Sequence, residues 1–215
     1  MKPSGHSATG PSPPVVGIVG GLASGKSTVA RLLARRGARV VDADRIGHQV
    51  LELAAVKEAL RDAFGEGMFD AAGRVVHARL AEAAFGRPGQ VDRLNEIVHP
   101  PIIEEIRAQV EECKKQEGVP LVVLDAALLM ETNLDEELCE AALFVDASGP
   151  ERLKRAAAQR GISADQFAGR EQAQLPEEAK KRRADYVVRN TGSLEELERQ
   201  LEGLWPELCR GSLQP

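Results

Sequence analysis

Two kinds of hydrophobic pattern alternate along the chain. Val15 to Val19 is a short apolar run that stops at Gly20-Gly21, the signature of a strand buried on both faces. From Lys26 to Arg36 the spacing changes. Val29, Leu32 and Leu33 recur at helical intervals with Arg31, Arg35 and Arg36 between them, and Gly37 is placed to stop the helix. Arg39 to Val41 restarts a strand that ends at Asp42-Ala43-Asp44. Strand, helix and strand within about thirty residues make a βαβ unit, so a parallel sheet is predicted.

From Ile46 to Gln116 the pattern is mostly helical. It is broken at Gly65-Glu66-Gly67, at Gly86-Arg87-Pro88-Gly89 and at His99-Pro100-Pro101. The stretch is too long for one crossover helix and reads as a helical insertion beside the sheet. Pro120 to Asp125 and Ala141 to Asp146 are further buried strands. Pro150 to Arg160 reads as a basic helix. Arg170 to Arg183 reads as a charged one, with Pro176 near its middle or breaking it. Tyr186-Val187-Val188 is a last strand and Asn190-Thr191-Gly192 a turn. Ser193 with Glu196 fits a capping box. The expected organisation is an α/β domain over 15–215, with its core in 15–44, 118–150 and 184–210. An insertion at 45–117 and a basic lid at 151–183 interrupt that core. Residues 1–14, rich in Gly, Ser and Pro, lack the apolar stretch of a signal peptide and are expected to be a disordered tail.

Composition narrows the function classes. The 215 residues carry 28 basic and 33 acidic side chains, a net charge of −5, which argues against a duplex nucleic-acid binder. Aromatics are 3% of the chain, too few for a platform that stacks single-stranded bases. No apolar run has the length of a membrane span. Cys113, Cys139 and Cys209 form neither a CxxC nor a metal spacing, so inert thiols in a reducing cytoplasm are expected.

The chemistry concentrates in Gly20-Gly21-Leu22-Ala23-Ser24-Gly25-Lys26-Ser27, which fits G-x-x-x-x-G-K-[ST] between a strand and a helix. Such a P-loop turns successive N–H groups toward phosphate oxygens. Lys26 sets an ammonium on the phosphates and Ser27 offers a hydroxyl to Mg²⁺. The motif implies a nucleotide; the enzyme class needs more. The guanine-reading N-K-x-D is missing, and Asp62-Ala63-Phe64-Gly65 matches D-x-x-G only at a helix end. Asp125 is followed by Ala126-Ala127 and not by the second carboxylate usual in a motor ATPase. A small-molecule kinase fits best, with a nucleotide-dependent switch as the reading from another class. Asp42 and Asp44 share one side if the strand continues, where a carboxylate could take the proton of an attacking hydroxyl. Asp125 stands where a Walker-B acid would hold Mg²⁺ through water. His99 precedes two prolines at an expected helix start. Arg152, Arg155, Arg160 and Arg170 form either a solvated face or a lid that closes on the transferring phosphoryl group.

Several segments together resemble the dephospho-CoA kinase family. They are Gly20 to Thr28, Val41-Asp42-Ala43-Asp44, Leu94-Asn95-Glu96-Ile97-Val98-His99-Pro100, Leu128-Leu129-Met130-Glu131-Thr132 and Ala184-Asp185-Tyr186-Val187-Val188 with Asn190. The likeness extends from about Val15 to Trp205. It implies a P-loop NTPase fold like that of nucleoside monophosphate kinases, a helical CoA-side domain and a lid. It also implies transfer from ATP to the ribose 3′-hydroxyl of dephospho-CoA. By that resemblance Asp44 is the catalytic carboxylate, and Arg79 and His99 lie on the acceptor side. Arg160 is a lid arginine, Gln174 and Lys180 fill polar positions of the following helix, and Asn190 lies near the adenine. The sequence departs from the family at Ala127, where a proline is usual, and in its lid arginines. Those are usually four apart; here Arg155 and Arg160 are five apart, and Ala156 stands in the first position. Another nucleoside or nucleotide kinase is the alternative within the same architecture.

Overall fold

The computed structural model describes residues 12–86 and 89–211. Five strands form one sheet: β1 (Val15–Val19), β2 (Arg39–Asp42), β3 (Val122–Asp125), β4 (Ala141–Asp146) and β5 (Tyr186–Arg189), in the order β2-β3-β1-β4-β5. β1 pairs in parallel with β3 and with β4, and β4 with β5. The helices are α1 (Lys26–Arg35), α2 (Ala43–Val50), α3 (Ala54–Phe64), α4 (His77–Phe85), α5 (Gln90–Lys115), α6 (Leu134–Leu138), α7 (Gly149–Arg160), α8 (Ala164–Gln172), α9 (Glu177–Arg183) and α10 (Leu194–Leu208). Among the described residues no helix is long and apolar enough to cross a membrane.

Every residue of β1 is buried, as are the first five of β4, which is why both read as continuous apolar runs instead of alternating ones. Val16, Ile18, Val123, Leu143 and Val188 pack with Val29 and Leu33 of α1 and with Leu197, Leu201 and Leu208 of α10. Each such side chain, fully buried, contributes about 1.5–3 kcal/mol. α1 ends where Gly37 takes a φ of +104°, and α10 begins at the Ser193–Glu196 capping box. Burial pushes the Cys139 thiol up to about 12, so it is not a reactive thiolate at neutral pH.

The chain divides into two compact units. One runs to Val41 and resumes at Val110, and it holds the sheet. The other, Asp42–Gln109, contains α2, α3, α4 and most of α5. Its interior is built from Ile46, Val50, Leu60, Phe69, Leu80 and Ile106.

Four local expectations change. α5 runs without interruption through Pro100 and Pro101, so His99 lies inside a 26-residue helix and not at a helix start. β2 stops at Asp42 and α2 begins at Ala43, so Asp42 and Asp44 do not share a strand face. The helix expected over Arg170–Arg183 is divided, with α8 starting earlier and ending at Gln172, while Pro176 takes the breaking role left open for it and is the N-cap of α9. The packed structure starts before Val15: Pro13 is buried, and the Pro14 carbonyl accepts the Val122 N–H at 2.8 Å. Residues 1–11 of the expected tail lie outside the described residues.

Candidate active site

The phosphate loop fills the gap between the end of β1 and the start of α1. Gly20 and Gly25 have φ of +152° and +102°, and Ala23, though not glycine, has +58°. A Cβ on Gly25 would overlap Asn190 Nδ2, so only glycine admits that side chain against the loop. Asn190 Nδ2 donates to the Ser24 carbonyl at 2.7 Å. Arg155 reinforces the same spot, donating from Nη2 to the Asn190 carbonyl at 2.7 Å and from Nη1 to Ser24 O at 3.4 Å. Lys26 Nζ donates to the carbonyls of Gly20 and Gly21 at 3.0 and 3.2 Å, which curls the loop around its own cation. Leu22 and Ala23 form the half-buried crest.

The N-terminus of α1 has neither a side-chain cap nor an acidic residue in its first turn. Its leading N–H groups therefore combine with the helix dipole to favour an anion there. Ser27 is exposed on that first turn, with Thr28 beside it. Asp125 ends β3 in register with Ile18 of β1, so it stands one strand away from the root of the loop. Next to Asn190, a cavity of about 510 Å³ is lined by Arg189, Thr191, Gly192, Glu196, Arg199 and Gln200.

The four arginines of the expected lid do not share one environment. Arg152 is buried, Arg155 reaches the loop, and Arg170 is exposed. Arg160 is the last residue of α7, and its side chain lies outside the described residues. Lys180 is buried and ties the region together. Its Nζ meets Glu131 Oε1 at 2.8 Å and donates to Gln174 Oε1 at 2.9 Å. The same Glu131 oxygen accepts the Leu175 N–H. At the end of β4, Asp146 pairs with Lys181 at 3.0 Å and raises the pKa of that lysine.

In the second unit Asp42 caps α2, its Oδ1 accepting the Arg45 N–H at 2.9 Å. Asp44 is exposed in the first turn of α2, and its carbonyl bonds His48 Nδ1 at 2.7 Å. A carbonyl only accepts, so His48 carries its proton on Nδ1. A cavity of about 300 Å³ lies beside Asp44, lined also by His48, His77, Leu80, Val98 and Ile102. The two histidine rings are 4.8 Å apart. Arg79 is not among the residues that line this cavity. Its guanidinium donates to the carbonyls of Gly67 and Phe69 at 3.3 and 3.0 Å. His99 follows the lining residue Val98 but does not line the cavity either. No motif in the sequence marks His48 or His77. The four-residue step from Asp44 to His48 becomes a signal only once that segment is known to be helix.

Comparison with known proteins gives the family. The family model described as dephospho-CoA kinase matches residues 14–196. A dephospho-CoA kinase from Thermus thermophilus is 39% identical over 208 residues, covering 97% of each chain. One from Corynebacterium diphtheriae is 38% identical over 192 residues, covering 89% of this chain and 95% of its own. A solved Thermus thermophilus protein superposes with a TM-score of 0.76 at 38% identity, over 92% of this chain and 98% of the other. A shikimate kinase from Bacteroides thetaiotaomicron, at 13% identity and a TM-score of 0.51, shares the fold over 92% of this chain and 99% of its own. The strand–loop–helix built around Lys26, the parallel sheet behind it and a family match spanning 14–196 have one consistent reading: the chain belongs to the dephospho-CoA kinase family.

Proposed function

We propose that the protein transfers the γ-phosphoryl group of ATP to the ribose 3′-hydroxyl of dephospho-CoA, giving CoA and ADP. The observation that carries this reading is the family match over residues 14–196. The acceptor oxygen attacks the γ-phosphorus, the bond to the β,γ-bridging oxygen breaks, and ADP leaves. The hydroxyl proton passes to Asp44. The exposed position of that side chain in the first turn of α2 suits a group that must meet a substrate. The loop from Gly20 to Thr28 binds the phosphates, and Lys26 neutralises charge that grows on them in the transition state. Asn190 acts on ATP by fixing the Ser24 carbonyl of that loop. Arg79 and His99 serve the acceptor side, Arg79 by holding the turn before α4 through its two carbonyl bonds. Arg160 belongs to a lid over 151–183.

Mg²⁺ is the implied metal, and the residues fit it. Ser27 and Asp125 offer the hard oxygen donors that Mg²⁺ takes. Ser27 would hold the ion directly and Asp125 through water. Bound there, the metal supplies charge neutralisation to the nucleotide phosphates. The expected partner is a small molecule in the cytoplasm, and the acidic net charge of −5 speaks against a nucleic-acid partner.

The test measures ADP and CoA together. With ATP, Mg²⁺ and dephospho-CoA, the two products should appear in a ratio of one, and adenosine or other nucleosides should not replace the acceptor. ADP release that is the same with and without acceptor would instead mark a nucleotide-dependent switch.

A further inference from the structure

Arg152 brings a positive charge almost wholly out of water, at 4% exposure. A buried guanidinium is tolerated only when its donors are matched. Here Nη1 and Nη2 meet Glu171 Oε2 and Glu177 Oε2 at 2.6 Å each. The carbonyls of Ala147 and Leu22 accept at 3.2 and 3.4 Å, and the Phe167 ring lies 5.6 Å from Cζ. The guanidinium also rests on the phosphate loop. A Cβ built on Gly21 would lie 2.7 Å from Arg152 Cζ, so the arginine sits where only glycine leaves room.

Glu171 is bound at both of its oxygens. While Oε2 holds Arg152, Oε1 accepts the Leu22 N–H at 3.0 Å. A carboxylate therefore occupies a backbone donor of the loop and an adjoining guanidinium at once. That pair of donors is the one a phosphate oxygen would seek, because both favour a compact anion with lone pairs in two directions. The charges are uneven as well: one guanidinium faces two carboxylates. Glu177 Oε1 is buried without a hydrogen-bond partner among the described residues, and burial raises the pKa of its carboxyl group. The cluster holds one more anion than Arg152 can neutralise, directly against a loop built for anions.

We propose that Arg152 is a nucleotide-phosphate ligand held by Glu171, and that ATP binds by displacing the Glu171 carboxylate from the Leu22 N–H and from Arg152. Glu177 keeps the guanidinium in place during the exchange, and Glu171 sets the affinity for ATP. This deepens the kinase reading and rests on it. A carboxylate that merely braced the loop would act in the opposite sense, since its removal would loosen the loop and weaken ATP.

The experiment titrates the full-length protein with a non-hydrolysable ATP analogue and Mg²⁺ by calorimetry. It uses the wild type, Glu171→Gln, Glu171→Ala and Arg152→Lys, each with its thermal midpoint. Both Glu171 variants should bind the analogue about threefold to tenfold more tightly, because a competing anion is gone. Arg152→Lys should bind it about fivefold or more weakly, since an ammonium lacks the planar fork. The KM for dephospho-CoA should stay within about twofold in the Glu171 variants. Glu171 is partly exposed, its side chain at 26%, so these variants do not depend on tolerance of a buried substitution. Unchanged or weaker analogue binding in Glu171→Gln would overturn the proposal and leave the kinase reading standing. A wild-type protein that does not bind the analogue would overturn both.

Discussion

Asp42 and Asp44 are chemically identical and two positions apart, and the local backbone divides their work. Asp42 spends an oxygen on the Arg45 N–H, whereas Asp44 lies in the first turn of the same helix with an exposed carboxylate. Asp44→Asn keeps the shape and removes the proposed base, so turnover should fall about a hundredfold or more. The thermal midpoint and ATP affinity should hardly move. Asp42→Ala should cost about 1 kcal/mol through the lost cap, a drop of roughly 2–4 °C in a chain of this size, with a smaller loss of rate. Turnover, ATP affinity and melting measured on both variants decide the division. A catalytically dead Asp42→Ala beside an active Asp44→Asn would reverse it. What the sequence reveals at this scale depends on how far apart the partners lie. The phosphate loop is contiguous, so its glycines, Lys26 and Ser27 can be read directly from their spacing. Glu171 meets Leu22 across 149 positions and Arg155 meets Ser24 across 131, and no local pattern records such a meeting. Arg79 is the complementary case. A guanidinium announces its charge in the sequence but not its target, and here it is committed to the carbonyls of Gly67 and Phe69.

Among the elements, α5 departs most from local expectation. Pro100 and Pro101 supply no N–H, which leaves the carbonyls of Glu96 and Ile97 without their partners in the helical ladder. Glu96 is exposed and Ile97 only half-buried, so water can serve those carbonyls, while buried Val98, Ile106 and Val110 hold the segment in a helix from both sides. Tertiary packing overrides propensity here, and packing is the term that a local reading of proline omits. Pro100 itself is exposed. Pro100→Ala restores a hydrogen bond and relieves the steric conflict with the preceding turn, together worth about 3 kcal/mol, and gives back up to about 1 kcal/mol of unfolded-state entropy. The thermal midpoint should therefore rise by several degrees; a fall would mean that the helix relies on a proline-induced bend. α8 offers the opposite lesson. Ser163 and Gln166 form a full capping box with the same S-x-x-[EQ] spacing that marks α10, so the start of α8 is written in the sequence as plainly as that of α10.

At the scale of the whole molecule, the residues that hold the sheet together are distinct from the loop that follows β1. The buried strands β1, β3 and β4 were legible because burial on both faces removes polar residues from a strand and leaves an apolar run. Their spatial order was not, since β1 lies between β3 and β4 through long-range pairing that leaves no trace in the local pattern. The core residues that fix the fold are not those of the loop that would bind phosphate. Val16 and Ile18 pack on α1 and α10, while Gly20 to Gly25 follow the carboxyl end of β1, where ligands of open α/β sheets are held. Lys26 tests how separable the two roles are. Its ammonium makes two bonds to loop carbonyls and is expected to face the transferring phosphoryl group, whereas its stem is only half-buried. Lys26→Met keeps that stem and removes the charge. The melting midpoint should shift by no more than about 3 °C, in keeping with one or two partly exposed hydrogen bonds. The rate of CoA formation should fall by about a thousandfold or more, because a preorganised cation acts on charge that develops only in the transition state. Near-normal CoA formation in a folded Lys26→Met protein would remove the phosphate loop from the chemistry. A collapse of the melting midpoint would show instead that the cation is part of the scaffold that sets the loop.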